Sequence, residues 1–286
     1  MIIPSPFFTS YDAEVMLCGG RPVTVALRPE HGMRVNAADI EAAITPRTRA
    51  VIINSPGNPT GAVTSAAELA RIAEVCKQHN IWAISDEVYH PFVFGETFGE
   101  TLGGEAAVAP SIAAVPGMKD RTIVVESLSK TYAMTGWRLG YAIAPKPIMD
   151  RIKQYHDFNT VGAPSPLMEA AVVGLDMPDS YYKEFGDHYA HMKKLFTDGL
   201  KQIGIPFTDP QGAYFVLADI GPYLRKGESD VDFCLEMAEK VGVACVPGTS
   251  FFNENVNNIV RVHFAKKDET LYEALDRLSH LKEKMR

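Results

Sequence analysis

AVIINSPGNPTGAVTSAAELARIAEVCKQHNIWAISDEV, residues 50–88, sets two apolar runs on either side of one amphipathic segment. The first run, AVIINSP (50–56), reads as a buried strand ending in a turn. SAAELARIAEVCKQHN (65–80) has helical spacing, with Ser65 or Thr64 as its cap and Glu68 placed to complete a capping box. IWAISDEV (81–88) is a second buried strand. Near-continuous apolar strands separated by helices predict a mostly parallel sheet covered on both faces. Ligands gather at the carboxyl ends of such strands, and the polar clusters of this stretch stand at those ends.

The pattern extends both ways. PVTVAL (22–27), TIVVES (122–127) and RLGYAIA (138–144) read as further strands, and AADIEAAI (37–44) as a short helix. Proline and glycine mark loops at 55–61 and 91–104. The second half changes character. A long helical pattern over 179–204 precedes the strand AYFVLADI (213–220), the helix DVDFCLEMAEKVG (230–242), the short strand VACVPG (243–248), the strand IVRVHFA (259–265) and a last helix from Asp268. These segments predict an α/β large domain over 1–180, then an interdomain helix and a smaller α+β domain over 181–286.

Composition narrows the class. The 286 residues suffice for a sizeable core, in one large or two smaller domains. Hydrophobic content of 46% and charged content of 22% are those of a soluble globular chain. A net charge of −7, with no basic segment, argues against a nucleic-acid partner. No segment has the apolar length of a membrane helix, and MIIPSPFF lacks the layout of a signal peptide. Cys18, Cys76, Cys234 and Cys245, without metal-ligand spacing, read as reduced, mostly buried thiols of a cytoplasmic protein.

SLSKTYAMTGWRLG (127–140) carries the chemistry. A lysine buried among small residues loses its proton readily, and a neutral amine attacks carbonyls to form a Schiff base. The planar fork of Arg138 suits a phosphate, and Ser127 and Ser129 add hydroxyls. Lys130 is therefore either a surface lysine or the amine that meets an aldehyde cofactor bearing a phosphate, which is pyridoxal 5'-phosphate (PLP). Asp86, in SDEVYH (85–90), is either a capped loop residue or a carboxylate that keeps a pyridine nitrogen protonated. Tyr89 either donates to the ring's phenolic oxygen or belongs to the core. NSPGNPTG (54–61) is either a turn or a loop presenting Asn58 to that same oxygen. Arg261, inside the apolar IVRVHFA, needs a carboxylate partner, structural or bound.

Taken in order, SPGNPTG, SDEVY, SLSKTYAMTGWRLG and VRVHFA resemble the landmarks of the class I/II aminotransferases, which are fold-type I PLP enzymes. Their separations match as well, and the resemblance covers essentially the whole chain. It implies a three-layer large domain with a mostly parallel sheet, a homodimer, and transfer of an amino group between an amino acid and a 2-oxo acid. By the same resemblance Lys130 forms the internal aldimine and shuttles the α-proton, and Asp86 partners the pyridine nitrogen. Asn58 and Tyr89 hold the phenolic oxygen, while Ser127, Ser129 and Arg138 hold the phosphate. Arg261 grips the substrate's α-carboxylate. PSPFFTSY resembles the segment that stacks an aromatic ring on the cofactor, with Phe8 favoured over Phe7 by spacing and a core role open for either.

The chain also departs from the family. Members have an N-terminal portion before the IIPSPFF strand, including a glycine-containing helix start that holds the phosphate and a tyrosine that reaches the partner's phosphate. The sequence is thus expected to be a C-terminal part of an aminotransferase, with an apolar face of the large sheet uncovered. NTVGAPSPLMEAA (159–171) lacks the arginine of one aspartate-specific subgroup, and RVHFAKKDETL (261–271) resembles enzymes of aromatic, glutamine-like or sulfur-containing amino acids. A PLP-dependent carbon–sulfur β-lyase and a non-catalytic fragment are the alternatives.

Overall fold

The structure, a computed structural model, describes residues 1–94, 100–102 and 106–285. In chain order, its first part comprises β1 (Ile2–Ser5), α1 (Tyr11–Leu17), β2 (Val23–Ala26), α2 (Ala37–Ala42), β3 (Ala50–Asn54), α3 (Ala66–Gln78) and β4 (Trp82–Asp86). There follow β5 (Glu100–Leu102), β6 (Ala106–Val108), β7 (Thr122–Ser127), α4 (Leu128–Thr131), β8 (Gly140–Ile143), α5 (Lys146–Thr160), α6 (Ser165–Leu175) and the long α7 (Asp179–Ile203). The last part contains β9 (Phe207–Thr208), β10 (Phe215–Asp219), α8 (Asp230–Glu236), β11 (Val246–Pro247), β12 (Ile259–His263), α9 (Asp268–Ser279) and α10 (Leu281–Lys284).

Two sheets organise these elements. The larger has the order β2-β1-β3-β4-β7-β8 and is parallel except for β8, which runs antiparallel to β7. Its central strands are in register at their carboxyl ends, with Asn54 opposite Asp86 and Asp86 opposite Val125. The smaller sheet, β11-β12-β10-β9, is antiparallel, and Val246 and Leu217 both pair with Arg261. Its core is built from α7, α8 and α9 packed on β10 and β12, with Phe233 and Phe264 fully enclosed.

The faces of the larger sheet differ. Ile2, Val51, Ile53 and Ala83 pack against Ile40 of α2 and Leu69, Ile72 and Cys76 of α3. On the other face Ile3 and Ile52 meet Phe7, Tyr11 and Val15. Beside them lies a groove of about 850 Å³ over Ile52, Ile84 and Val125. Cover on both faces was expected from the apolar strands, but among the described residues the second face is only partly covered. On α5, Tyr155 and Phe158 are exposed, as is Val173 on α6.

Other expectations are revised locally. Ser65 caps α3 by accepting from the Glu68 amide at 3.2 Å, but Glu68 turns its carboxylate to the Ala37 amide and Arg71. The capping box is therefore half formed, its second half given to the start of α2. The helix expected over 230–242 ends at Glu236 and continues as a π-turn, Met237–Val241. The loop expected over 91–104 falls partly on 95–99 and 103–104, outside the described residues; 100–102 pairs with 106–108 as strands. Of the cysteines, Cys76 and Cys234 are buried, Cys245 is partly buried and Cys18 is exposed; none forms a disulfide.

Candidate active site

The carboxyl ends of β3, β4 and β7 open into a cavity of about 440 Å³ lined by Phe8, Asn58, Asp86, Tyr89, Ser127, Ser129, Lys130 and Arg138. The sequence marked each of these residues. Arg261 adjoins this group, donating from Nη1 to Asn58 Oδ1 at 2.7 Å.

Each wall has a local cause. The loop after β3 is folded on itself by Gly57 N to Ala62 O (2.9 Å) and Gly61 N to Gly57 O (2.8 Å). Asn54 then accepts from the Asn58 amide at 2.8 Å and donates to the Asp86 carbonyl at 3.1 Å, tying the loop to β4. Gly61 has φ +65°, and a Cβ there would stand 2.5 Å from Pro210 Cβ, so only glycine fits. Its carbonyl accepts from Gln211 N and Gly212 N, both at 2.8 Å, which fastens the loop to the approach to β10.

Asp86 ends β4. Its Oδ1 accepts from Val88 N at 3.2 Å, and its Oδ2 accepts from the Tyr11 hydroxyl. Burial pushes the Asp86 carboxyl up, and the Tyr11 and Val88 hydrogen bonds oppose that rise. Tyr89 is buried, edge-on to Phe92, Tyr214 and Phe215, so it belongs to the core and to the cavity wall at once. Burial, with Tyr214 beside it, raises its phenol well above the usual value, so it remains a donor.

Ser127 ends β7 and caps α4, accepting from Ser129 N at 3.1 Å. Lys130, one residue on, faces the cavity, and among the described residues its amine forms no hydrogen bond or ion pair. Arg138 takes φ +58°, in the left-handed region, at a cost of about 1–2 kcal/mol. Its Nη1 donates to Thr135 O at 3.1 Å. Strain kept at a site of this kind points to a functional demand on the side chain's direction.

Phe8 and Phe7 separate cleanly: Phe8 is 43% exposed and borders the cavity, while Phe7 is 8% exposed and packs in the core. Arg261 lies between the rings of Phe215 and Phe251, its guanidinium carbon 4.5 and 4.6 Å from their centres. Burial lowers its pKa. No carboxylate pairs with it among the described residues, so of the two partners foreseen for it the structural one is not seen. The residues that sequence reasoning missed are Tyr11, Glu126 and the flanking Phe215 and Phe251. Tyr11 stands three positions after Phe8, and its contact with Asp86 spans 75 residues, which leaves no local trace.

This donor set suits PLP on the structure's own terms. Among the described residues Asp86 is a buried carboxylate without a cation, Arg261 a half-buried cation without an anion, and Lys130 an unengaged amine in the same cavity as Asp86.

Comparison with known proteins identifies the family. The family model for aminotransferase class I and II matches residues 1–278. The putative aminotransferase YugH of Bacillus subtilis is 38% identical over 278 residues, which cover 97% of this chain and 68% of that protein. The aspartate aminotransferase of Rhizobium meliloti is 36% identical, with 98% of this chain and 67% of that protein covered. The crystal structure of an aromatic aminotransferase from Pyrococcus horikoshii superposes with a TM-score of 0.88 at 35% identity, covering 99% of this chain and 72% of that one. The chain thus spans about two thirds of the length of such relatives. With motifs, cavity and fold in agreement, the chain belongs to the class I and II aminotransferases, with their fold-type I architecture.

Proposed function

We propose that the cavity binds pyridoxal 5'-phosphate and that the chain uses it to move an amino group from an amino acid to a 2-oxo acid. The observation that carries this reading is the convergence of Phe8, Asn58, Asp86, Tyr89, Ser127, Ser129, Lys130 and Arg138 on one cavity, with Arg261 joined to it through Asn58. When bound, the cofactor supplies an aldehyde to take up the amino group and a ring to accept the electrons of a broken C–H bond.

The chain's own groups do the rest. Lys130 would hold the group at its aldehyde carbon and, once freed by substrate, would carry the proton from the substrate α-carbon to that carbon. Asp86 would keep the ring nitrogen protonated. Asn58 offers its amide NH₂ and Tyr89 its hydroxyl to the phenolic oxygen. Ser127, Ser129 and Arg138 would take the phosphate, and Phe8 would lie against the ring. Arg261 receives the substrate's α-carboxylate in a two-point fork, its flat guanidinium oriented by Phe215 and Phe251. No helix among the described residues is long and apolar enough to cross a membrane. The protein works in the cytoplasm as a homodimer on free amino acids.

The test is transfer of label. With PLP, a ¹⁵N-labelled amino acid and an unlabelled 2-oxo acid, the label should appear in the new amino acid. Label released only as ammonia, together with pyruvate from a cysteine conjugate, would replace transfer by carbon–sulfur elimination.

A further inference from the structure

The turn between β1 and α1 brings two aromatic residues to the site. One is Phe8. The other is Tyr11, 9% exposed, whose ring lies near-parallel to Phe7 (centroids 6.4 Å, 17°) and edge-on to Phe8 (5.8 Å, 69°). Its hydroxyl donates to Asp86 Oδ2 while the Val88 amide occupies Oδ1. Both carboxylate oxygens are thus held by neutral donors. Tyr11 and Asp86 also border two spaces at once, the 440 Å³ cavity and the 850 Å³ groove behind it. The pair is a partition between them.

We propose that Tyr11 is a positioning residue that acts through Asp86: its hydroxyl holds the carboxylate ionised and oriented, and its ring closes the cavity against the groove. This rests on the reading of Asp86 as the ring-nitrogen partner. A buried carboxylate without a cation tends to take up a proton, and a protonated Asp86 could not stabilise positive charge on a ring. A donor to the ionised form works against that tendency. Burial and the neighbouring Asp86 push the Tyr11 phenol well above its ordinary value, so the proton stays on Tyr11 and the contact remains a donated bond. The other groups acting on Asp86 are Glu14 of α1, the adjoining Glu87, Tyr89 and Glu126 of β7; Lys130 and Arg138 share its cavity.

Tyr11→Phe keeps the ring and removes the hydroxyl. The Asp86 carboxyl is followed by ¹³C NMR in the full chain without PLP, its signal assigned by Asp86→Asn, with circular dichroism to verify the fold. The titration midpoint should rise by about 1–2 pH units. In addition, the Kd for PLP should weaken about tenfold, and the same substitution in the Asp86→Asn background should have no further effect. An unchanged Asp86 midpoint in folded Tyr11→Phe overturns the proposal, as does a shifted midpoint with unchanged PLP affinity in a chain that binds PLP. If the midpoint shifts and the wild-type chain takes up no PLP, the hold on Asp86 stands and the cofactor reading fails.

Discussion

The two sheets meet at one site and contribute unequally. Among the residues marked in the sequence, the carboxyl ends of the larger sheet and the loops leaving them supply Phe8, Asn58, Asp86, Tyr89, Ser127, Ser129, Lys130 and Arg138. The smaller sheet supplies Arg261. The strands of the first group are locked in register, Asn54 to Asp86 to Val125, and any slip would turn their side chains to the other face. Arg261 reaches the cavity across the join between sheets, through Asn58 and the rings of Phe215 and Phe251. On the proposed reading, the division gives the cofactor to one rigid edge and the substrate carboxylate to a second module.

If that division holds, mutations should separate by sheet. Lys130→Ala, at the large-sheet edge, should lower kcat for amino transfer by at least about 10³-fold with thermal stability unchanged. A rate within tenfold of wild type would remove Lys130 from the chemistry. Asp86→Ala should lower kcat by about 10²- to 10³-fold and leave the KM for the amino acid nearly constant. A defect confined to KM would move Asp86 to the substrate side and break the comparison.

On the smaller sheet, Arg261→Ala should raise the KM of both amino acid and 2-oxo acid by about 10- to 100-fold and change kcat much less, because a charge-assisted fork contributes to binding the carboxylate throughout. PLP affinity measured in parallel sharpens the point: Arg261→Ala should leave it unchanged. A loss of PLP affinity equal to that of Asp86→Ala would erase the distinction.

The smallest effect concerns Glu126, at the edge of β7. Burial, reinforced by Glu87, pushes its carboxyl up to about 8. From the ordinary carboxylate range up to that value, the folded chain keeps a proton that the unfolded chain has lost, so stability falls as pH rises through this window. Glu126→Gln should remove that fall. After allowance for partial exposure, it should stabilise the chain at about pH 8 by about 1–2 kcal/mol relative to about pH 5, as read by urea denaturation at the two pH values. An unaltered pH dependence would show that Glu126 is solvated.

How far the sequence revealed this arrangement depends on what each signal needs. β3, β4 and β7 are legible because apolar residues dominate them before they stop at Asn54, Asp86 and Ser127, the pattern of strands buried inside a parallel sheet. Ser65 as a cap is a local signal and is seen; the turn of Glu68 toward Ala37 is a tertiary choice and leaves no local mark. The helices α1, α5 and α6 escaped notice: α1 has only seven residues, and α5 has no buried residue among its fifteen, so the apolar stripe that marks a core-facing helix is weak. The break after Glu236 was hidden because a π-turn continues the same apolar spacing. At the site, Lys130, Asp86 and Arg138 stand in motifs whose residue types name their chemistry. Tyr11 does not, since its contact with Asp86 forms only when β1 lies beside β3 and brings residue 11 to residue 86.

The central claim is that the large-sheet edge of this chain forms a PLP site around Lys130, and an absorbance titration of the purified 286-residue chain with PLP tests it most directly. The account predicts a new band from the protein-bound cofactor, absent in Lys130→Ala and lost when an amino acid is added. Soluble, folded chain that gives no such band, or gives the same band without Lys130, would contradict it.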